Sequence, residues 1–208
     1  MISKFSLPVS IAFAALLTLV LGTAPRLHAQ TPNNEFAVVP FDFDPTHTFQ
    51  ISDQWIHGLG DIAVPGDLND PQNDGLLLGK GTLTATDAAS GARLVGLQPT
   101  TLTEIGWDIR NGSHCGAGAP RFNVTTIDGV THFIGCMSPP PSSTIPIAPG
   151  WQRFRYNPAL AFPPINSTVS SISIVFDEGT DTGGTPPFDG MGFAILHNID
   201  VNGELVGH

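Results

Sequence analysis

Val169-Ser-Ser-Ile-Ser-Ile-Val-Phe176 and, after a loop, Met191-Gly-Phe-Ala-Ile-Leu-His-Asn-Ile-Asp-Val201 decide the fold of this chain. Both stretches are apolar and rich in β-branched residues, and the loop between them is built from Asp, Gly, Thr and Pro. That composition predicts strand, long turn, strand, and Asn202-Gly203 then closes a further tight turn. That pattern implies an antiparallel β architecture.

The same pattern extends outward from that stretch. Short β-type runs at 36–43, 76–86, 92–97, 101–110, 121–127, 130–136, 151–156, 169–176 and 192–201 alternate with Gly, Pro, Asn and Asp clusters. No long stretch after residue 30 carries apolar residues at helical spacing. About nine strands so spaced predict an all-β protein, an antiparallel β-sandwich of jelly-roll type. The Asp128-Gly129 pair predicts a hairpin with a two-residue turn. That register opposes Val124 to Phe133, Phe122 to Gly135 and Arg121 to Cys136. It sends Phe122, Val124 and Phe133 to the core, and Arg121, Asn123, Thr125 and His132 to the other face. The segment 65–75 reads as an Asp/Asn-rich turn. The proline-rich segment 138–150 reads as a surface strap that cannot join a sheet interior.

The chain has 208 residues, with 8 Lys and Arg against 18 Asp and Glu. Its N-terminus reads as an export signal at 1–29, with Lys4 ahead of an apolar run and a small-residue cut site at Ala29. Residues 30–208 are then a single β-sandwich domain, whose formal net charge without Lys4 and Arg26 is −12. A polyanion is repelled by such a field, so nucleic acid is excluded as partner. No later segment spans a membrane. Cys115 and Cys136 are the two cysteines, and in a secreted or periplasmic protein they predict one disulfide. That bond fastens the loop GSHCGAGAP to the hairpin.

Strand parity gathers one set of polar side chains. On 101–110, Ile105, Trp107 and Ile109 point one way while Glu104, Asp108 and Arg110 point the other. On 151–156, Phe154 and Tyr156 oppose Trp151, Arg153 and Arg155. If these strands and the one bearing Arg121 share a sheet, its outer face carries Glu104, Asp108, Arg110, Arg121, Trp151, Arg153 and Arg155. Planar polar groups beside an indole suit a sugar; the same charges also suit simple ion pairing on a sheet face. Glu104 and Asp108, four residues apart on one strand, are separated by roughly 13 Å and do not form a glycosidase pair. Neither G-x-S-x-G nor H-E-x-x-H occurs, and no catalytic residue is assigned. Asp177, Asp181 and Asp189, with Glu178, crowd the loop after the 169–176 run. They are oxygen ligands suited to a structural calcium and are equally good turn formers.

Gly150-Trp151-Gln152, the Ile-Ser-Ile-Val-Phe of 172–176 and the Ile-Leu-His-Asn-Ile-Asp of 195–200 resemble the closing strands of jelly-roll carbohydrate-binding modules of the galactose-binding-like kind. The resemblance covers about fifty residues in short, degenerate motifs. It implies a sugar-binding β-sandwich, and a structural calcium held partly by the first Asp of the last-strand motif. Here His197, followed by Asn198, stands at that position, a departure from the motif. The segment CGAGAPRFNV is also similar to secreted bacterial proteins without assigned activity. The sequence therefore predicts a secreted, non-catalytic module for a glycan or other cell-surface ligand. Its rivals are a small secreted glycoside hydrolase or lyase, and a structural envelope or matrix protein.

Overall fold

Alternation of apolar and polar residues along short strands, punctuated by glycine and proline, folds the chain into two facing sheets. The computed structural model describes residues 36–61, 73–181 and 192–207; the expected export signal, much of the Asp/Asn-rich turn and Asp189 lie outside these. The strands are β1 Ala37–Phe43, β2 Ile51–Ile56, β3 Gly75–Lys80, β4 Ala89–Val95, β5 Ile105–Arg110 and β6 Arg121–Thr126. They continue as β7 Thr131–Gly135, β8 Ser143–Ala148, β9 Trp151–Tyr156, β10 Val169–Phe176, β11 Phe193–Val201 and β12 Glu204–Val206. One sheet has the order β1-β4-β10-β6-β7. The other has the order β2-β3-β11-β5-β9-β8, with β12 paired to β11. All pairings are antiparallel. The all-β antiparallel sandwich expected from the sequence is what the chain builds.

Inward-facing residues of both sheets form the core. Trp107 of β5 stacks on Phe122 of β6 with ring centroids 4.3 Å apart, and Tyr156 of β9 meets Trp107 edge-on at 5.5 Å. All three are buried. The Tyr156 hydroxyl donates to the Cys136 carbonyl at 3.1 Å, so its polar end is satisfied inside an apolar layer. Cys115 and Cys136 are disulfide-bonded, with Cα atoms 5.2 Å apart, which fits a protein kept outside a reducing compartment. Among the described residues no helix is long and apolar enough to cross a membrane.

Three details correct the reading from sequence. Twelve strands occur among the described residues, not nine. The extra ones are β2, β8 and the three-residue β12 that follows the Asn202-Gly203 turn. Segment 138–150 does join a sheet, yet only as the edge strand β8, where Pro146 costs no interior ladder bond. The β6–β7 hairpin has the register Phe122 to Ile134 and Val124 to His132, one residue away from that expected. Its turn spans three residues, with Gly129 at φ +81° and its N–H bonded to the Thr126 carbonyl at 2.9 Å. A one-residue slip reverses every side chain. Phe133 is therefore exposed, while Ile134 and His132 turn inward beside Phe122 and Val124.

Candidate functional site

β5, β9 and β11 are neighbours, and their outward residues meet as the parity predicted. Arg153 grips Asp108 with two bonds, Nε to Oδ1 and Nη2 to Oδ2, both 2.8 Å. Arg155 Nε lies 2.7 Å from Asp200 Oδ2 and 3.8 Å from Glu104 Oε1, and its Nη1 donates to the carbonyls of Phe154 and Trp107. Gly106 makes room for that side chain, because a Cβ there would stand 2.7 Å from Arg155 Cδ and 2.2 Å from the Phe154 carbonyl. A bulge in β11 between His197 and Asp200, with Asn198 at φ +46°, aims Asn198 Nδ2 at Asp108 Oδ2, 2.8 Å away. Bulges re-aim side chains in this way.

This cluster is not the open binding face that the sequence suggested. Asp108, Trp151, Arg155, His197 and Asp200 are all buried. The Asp61 backbone N–H donates to His197 Nδ1 at 3.2 Å, and the Trp151 ring rests edge-on against His197 at 6.1 Å. Burial raises the Asp200 carboxyl pKa, with Arg155 opposing it. The hydrogen bond that Arg153 donates to Asp108 is the main influence raising the Arg153 pKa, against its burial. Each charge is spent on a neighbour, which is how buried ions are tolerated. Arg110 stays exposed at the strand end. Arg121 is a correction: it lies on β6 of the other sheet, because parity along a strand fixes the face and not the sheet.

Arg121 marks a different surface. An open groove of about 640 Å³ runs over the outer face of the five-stranded sheet, lined by Phe41, Phe43, Val175, Arg121, Asp177, Glu178 and the segment 84–89, with Lys80 at its end. Gly91 of β4 leaves space for the Phe41 ring, since a Cβ there would come within 2.6 Å of it. The Arg93 guanidinium lies over that ring, 4.3 Å from its centroid, a cation–π contact. Phe43 is half exposed. Arg121 Nη1 is 2.6 Å from Asp177 Oδ1 and donates to the Gly118 carbonyl, while its Nε donates to Asn123 Oδ1. Glu178 pairs with buried His114, whose ring sits edge-on to Phe176 at 5.7 Å. The Glu178 carboxylate covers Gly116 and Gly118, where a Cβ would stand 2.5 and 2.4 Å from its oxygens. The disulfide-tethered loop GSHCGAGAP is thus the backing of this wall.

Lys80 builds the opposite wall. It is fully buried, and its ammonium donates to the carbonyls of Thr84, Thr86 and Asp177 at 2.9, 2.6 and 2.9 Å. Burial is the larger influence on it and pushes its pKa down, against Asp177, Asp181 and Asp87. The Thr84 N–H donates to Asp181 Oδ1 at 3.1 Å. Of the acidic-loop residues read as calcium ligands, Asp177 pairs with Arg121 and Asp181 accepts from the Thr84 N–H, while Asp189 lies outside the described residues. Among the described residues no group of three or more His, Cys, Asp or Glu converges for a metal. His197, at the motif's calcium position, takes a backbone N–H instead.

No family model matches the chain, and no curated protein matches it. One solved structure with likeness is the bacteriophage CBA120 tailspike protein 4 enzymatically active domain, at 13% identity and a TM-score of 0.39. The match covers 84% of this chain and 20% of that one, so the chain spans about a fifth of its length. A likeness of that degree carries neither fold nor function across.

Proposed function

We propose that this protein is an exported, non-catalytic β-sandwich that binds a glycan or another cell-surface ligand in the groove over the five-stranded sheet. The observation that carries the reading is the juxtaposition, in one open groove, of the Phe41 and Phe43 rings with the Arg121–Asp177 pair and Glu178. Rings offer an apolar face to the C–H side of a sugar, and planar charged groups hydrogen-bond its hydroxyls. The resemblance of 150–201 to carbohydrate-binding modules points the same way. Asp177 is already paired with Arg121, so the two meet a ligand as one planar, charge-balanced pair. The disulfide supports export.

A glycan array run with and without EDTA tests this. Wild type retains at least one glycan class, EDTA changes nothing, and Phe43→Ala and Glu178→Gln each weaken the signal about tenfold. Equal binding by both variants, or a silent array, overturns the reading. Release of reducing ends from a retained glycan favours the rival hydrolase, in which Glu178, oriented by His114, is the acting carboxylate.

A further inference from the structure

We propose that a second groove, beside Phe49 on the outer face of the seven-stranded sheet, binds the ring face of an uncharged sugar. It goes beyond the reading above and rests on different aromatic and polar side chains, with Lys80 alone shared between the two linings. The loop joining β1 to β2 is built around one carboxylate. Asp44 accepts from the Thr46 hydroxyl, the Thr48 N–H and hydroxyl, and the Phe49 N–H at 3.1, 3.0, 3.2 and 2.8 Å. Those bonds hold Phe49 at φ +55°, a conformation that bulky residues seldom adopt. The side chain so placed is 86% exposed. Its ring tilts toward that of His47, with centroids 6.0 Å apart, and is otherwise open to solvent.

Beside Phe49 lies an open hollow of about 500 Å³, walled by Ile51, Leu77 and Phe193 and edged by Gln50 and Ser52. Its floor is Gly79, in the middle of the β2–β3–β11 ladder. A Cβ there would meet Ser52 Cβ at 3.4 Å and Phe193 Cβ at 3.8 Å, ordinary contacts, so packing does not demand glycine. Glycine weakens a strand interior; here its effect is to keep the floor open.

Charge selects the occupant. Lys80 is the one charged residue in the lining, and its ammonium is turned inward and shared among three carbonyls. An ionic ligand finds no counter-charge, and an anion also meets a chain of net charge −10. Apolar rings flanked by one amide and one hydroxyl match a neutral pyranose, its C–H face on Phe49 and its hydroxyls toward Gln50 and Ser52.

The test is an amide-shift titration of the ¹⁵N-labelled protein with the β-1,4-linked hexasaccharides of glucose, xylose and mannose. At least one of them shifts Phe49, Gln50, Ser52, Gly79 and Gly81, and Phe49→Ala and Gly79→Ala each weaken those shifts about tenfold in apparent Kd. Both variants keep the wild-type thermal midpoint, because Phe49 is exposed and Gly79 has room for a methyl. Phe43→Ala, in the other groove, leaves the Phe49 shifts intact. The proposal is overturned if none of the three sugars moves this set, or if both variants respond as wild type does. Shifts confined to Phe41, Phe43 and Arg121 overturn this site and spare the first; shifts confined to the Phe49 set do the reverse.

Discussion

Replacing Lys80 by methionine removes the ammonium while keeping an unbranched stem of similar volume. Three part-buried carbonyls, of Thr84, Thr86 and Asp177, then lose their donor. Leaving a buried acceptor unsatisfied costs about 1–3 kcal/mol. Partial rehydration at the mouth of the groove and relief of the burial of a charge offset part of that, for a net loss of about 3–5 kcal/mol. For a domain of this size that is a fall of roughly 10 °C in thermal midpoint. Urea titration followed by tryptophan fluorescence measures it, and the slope of the transition should stay unchanged. Wild type should also gain stability with rising pH in the alkaline range just below the ordinary lysine value. There the folded chain, with its lowered Lys80 pKa, has released a proton that the unfolded chain still holds. The Lys80→Met protein should lack this slope. A loss under about 1 kcal/mol, within the range of ordinary surface changes, or an identical alkaline slope, would refute the assignment of Lys80 as the cation that fastens 84–86 to Asp177.

Other outcomes follow from the same geometry. Asp108→Ala removes the two-bond partner of Arg153 and the acceptor of Asn198 and should cost about 3–5 kcal/mol by chemical denaturation, while Arg110→Ala on the exposed strand end should stay within about 0.5 kcal/mol. Replacing Cys115 and Cys136 together by alanine opens a loop of sequence separation 21. It should cost about 3 kcal/mol and loosen His114 behind Glu178, read as faster amide exchange there. On the acid side, bonds from the Thr48 N–H, the Thr126 hydroxyl and the Thr84 hydroxyl lower the carboxyls of Asp44, Asp128 and Asp181 respectively. Stability from these groups is present above the ordinary aspartate value and lost as pH falls through their lowered ones. Asp53 and Asp200 are raised by burial, so their contribution is present at low pH and fades as pH rises through their folded values. A pH series of urea midpoints should therefore change little from neutrality to about pH 5 and drop below about pH 4.

Strand parity was readable in the sequence because period-two alternation is a local property. Trp107, Ile109, Phe154 and Tyr156 face the core, and Asp108, Arg153 and Arg155 face away, as the spacing implies. Sheet membership is not local. Nothing in the run 121–126 says that β10 and β7, and not β5, flank it, so Arg121 was grouped with the wrong partners. Burial of the outer face escaped for a similar reason: it depends on a distant segment, at Asp61, reaching His197. The hairpin slip came from Asp128-Gly129, a pair that serves two-residue and three-residue turns alike. β2 and β8 were missed because Asp53, Gln54 and Pro146 dilute the β signal that longer runs carry. The groove itself had one sequence clue, Lys80, the single lysine after residue 30, and composition alone reads the Asp-rich loop that meets it as a metal site. Phe49 had none, since only the backbone reveals an aromatic held at positive φ.

The most direct test of the account is a crystal structure of the protein with the oligosaccharide that scores highest on the array. The account predicts a sugar ring against Phe41 and Phe43 with hydroxyls bonded to Arg121 and Glu178. A sugar seated instead over Trp151 and the Asp108–Arg153 pair, with Asp61 displaced from His197, would contradict it.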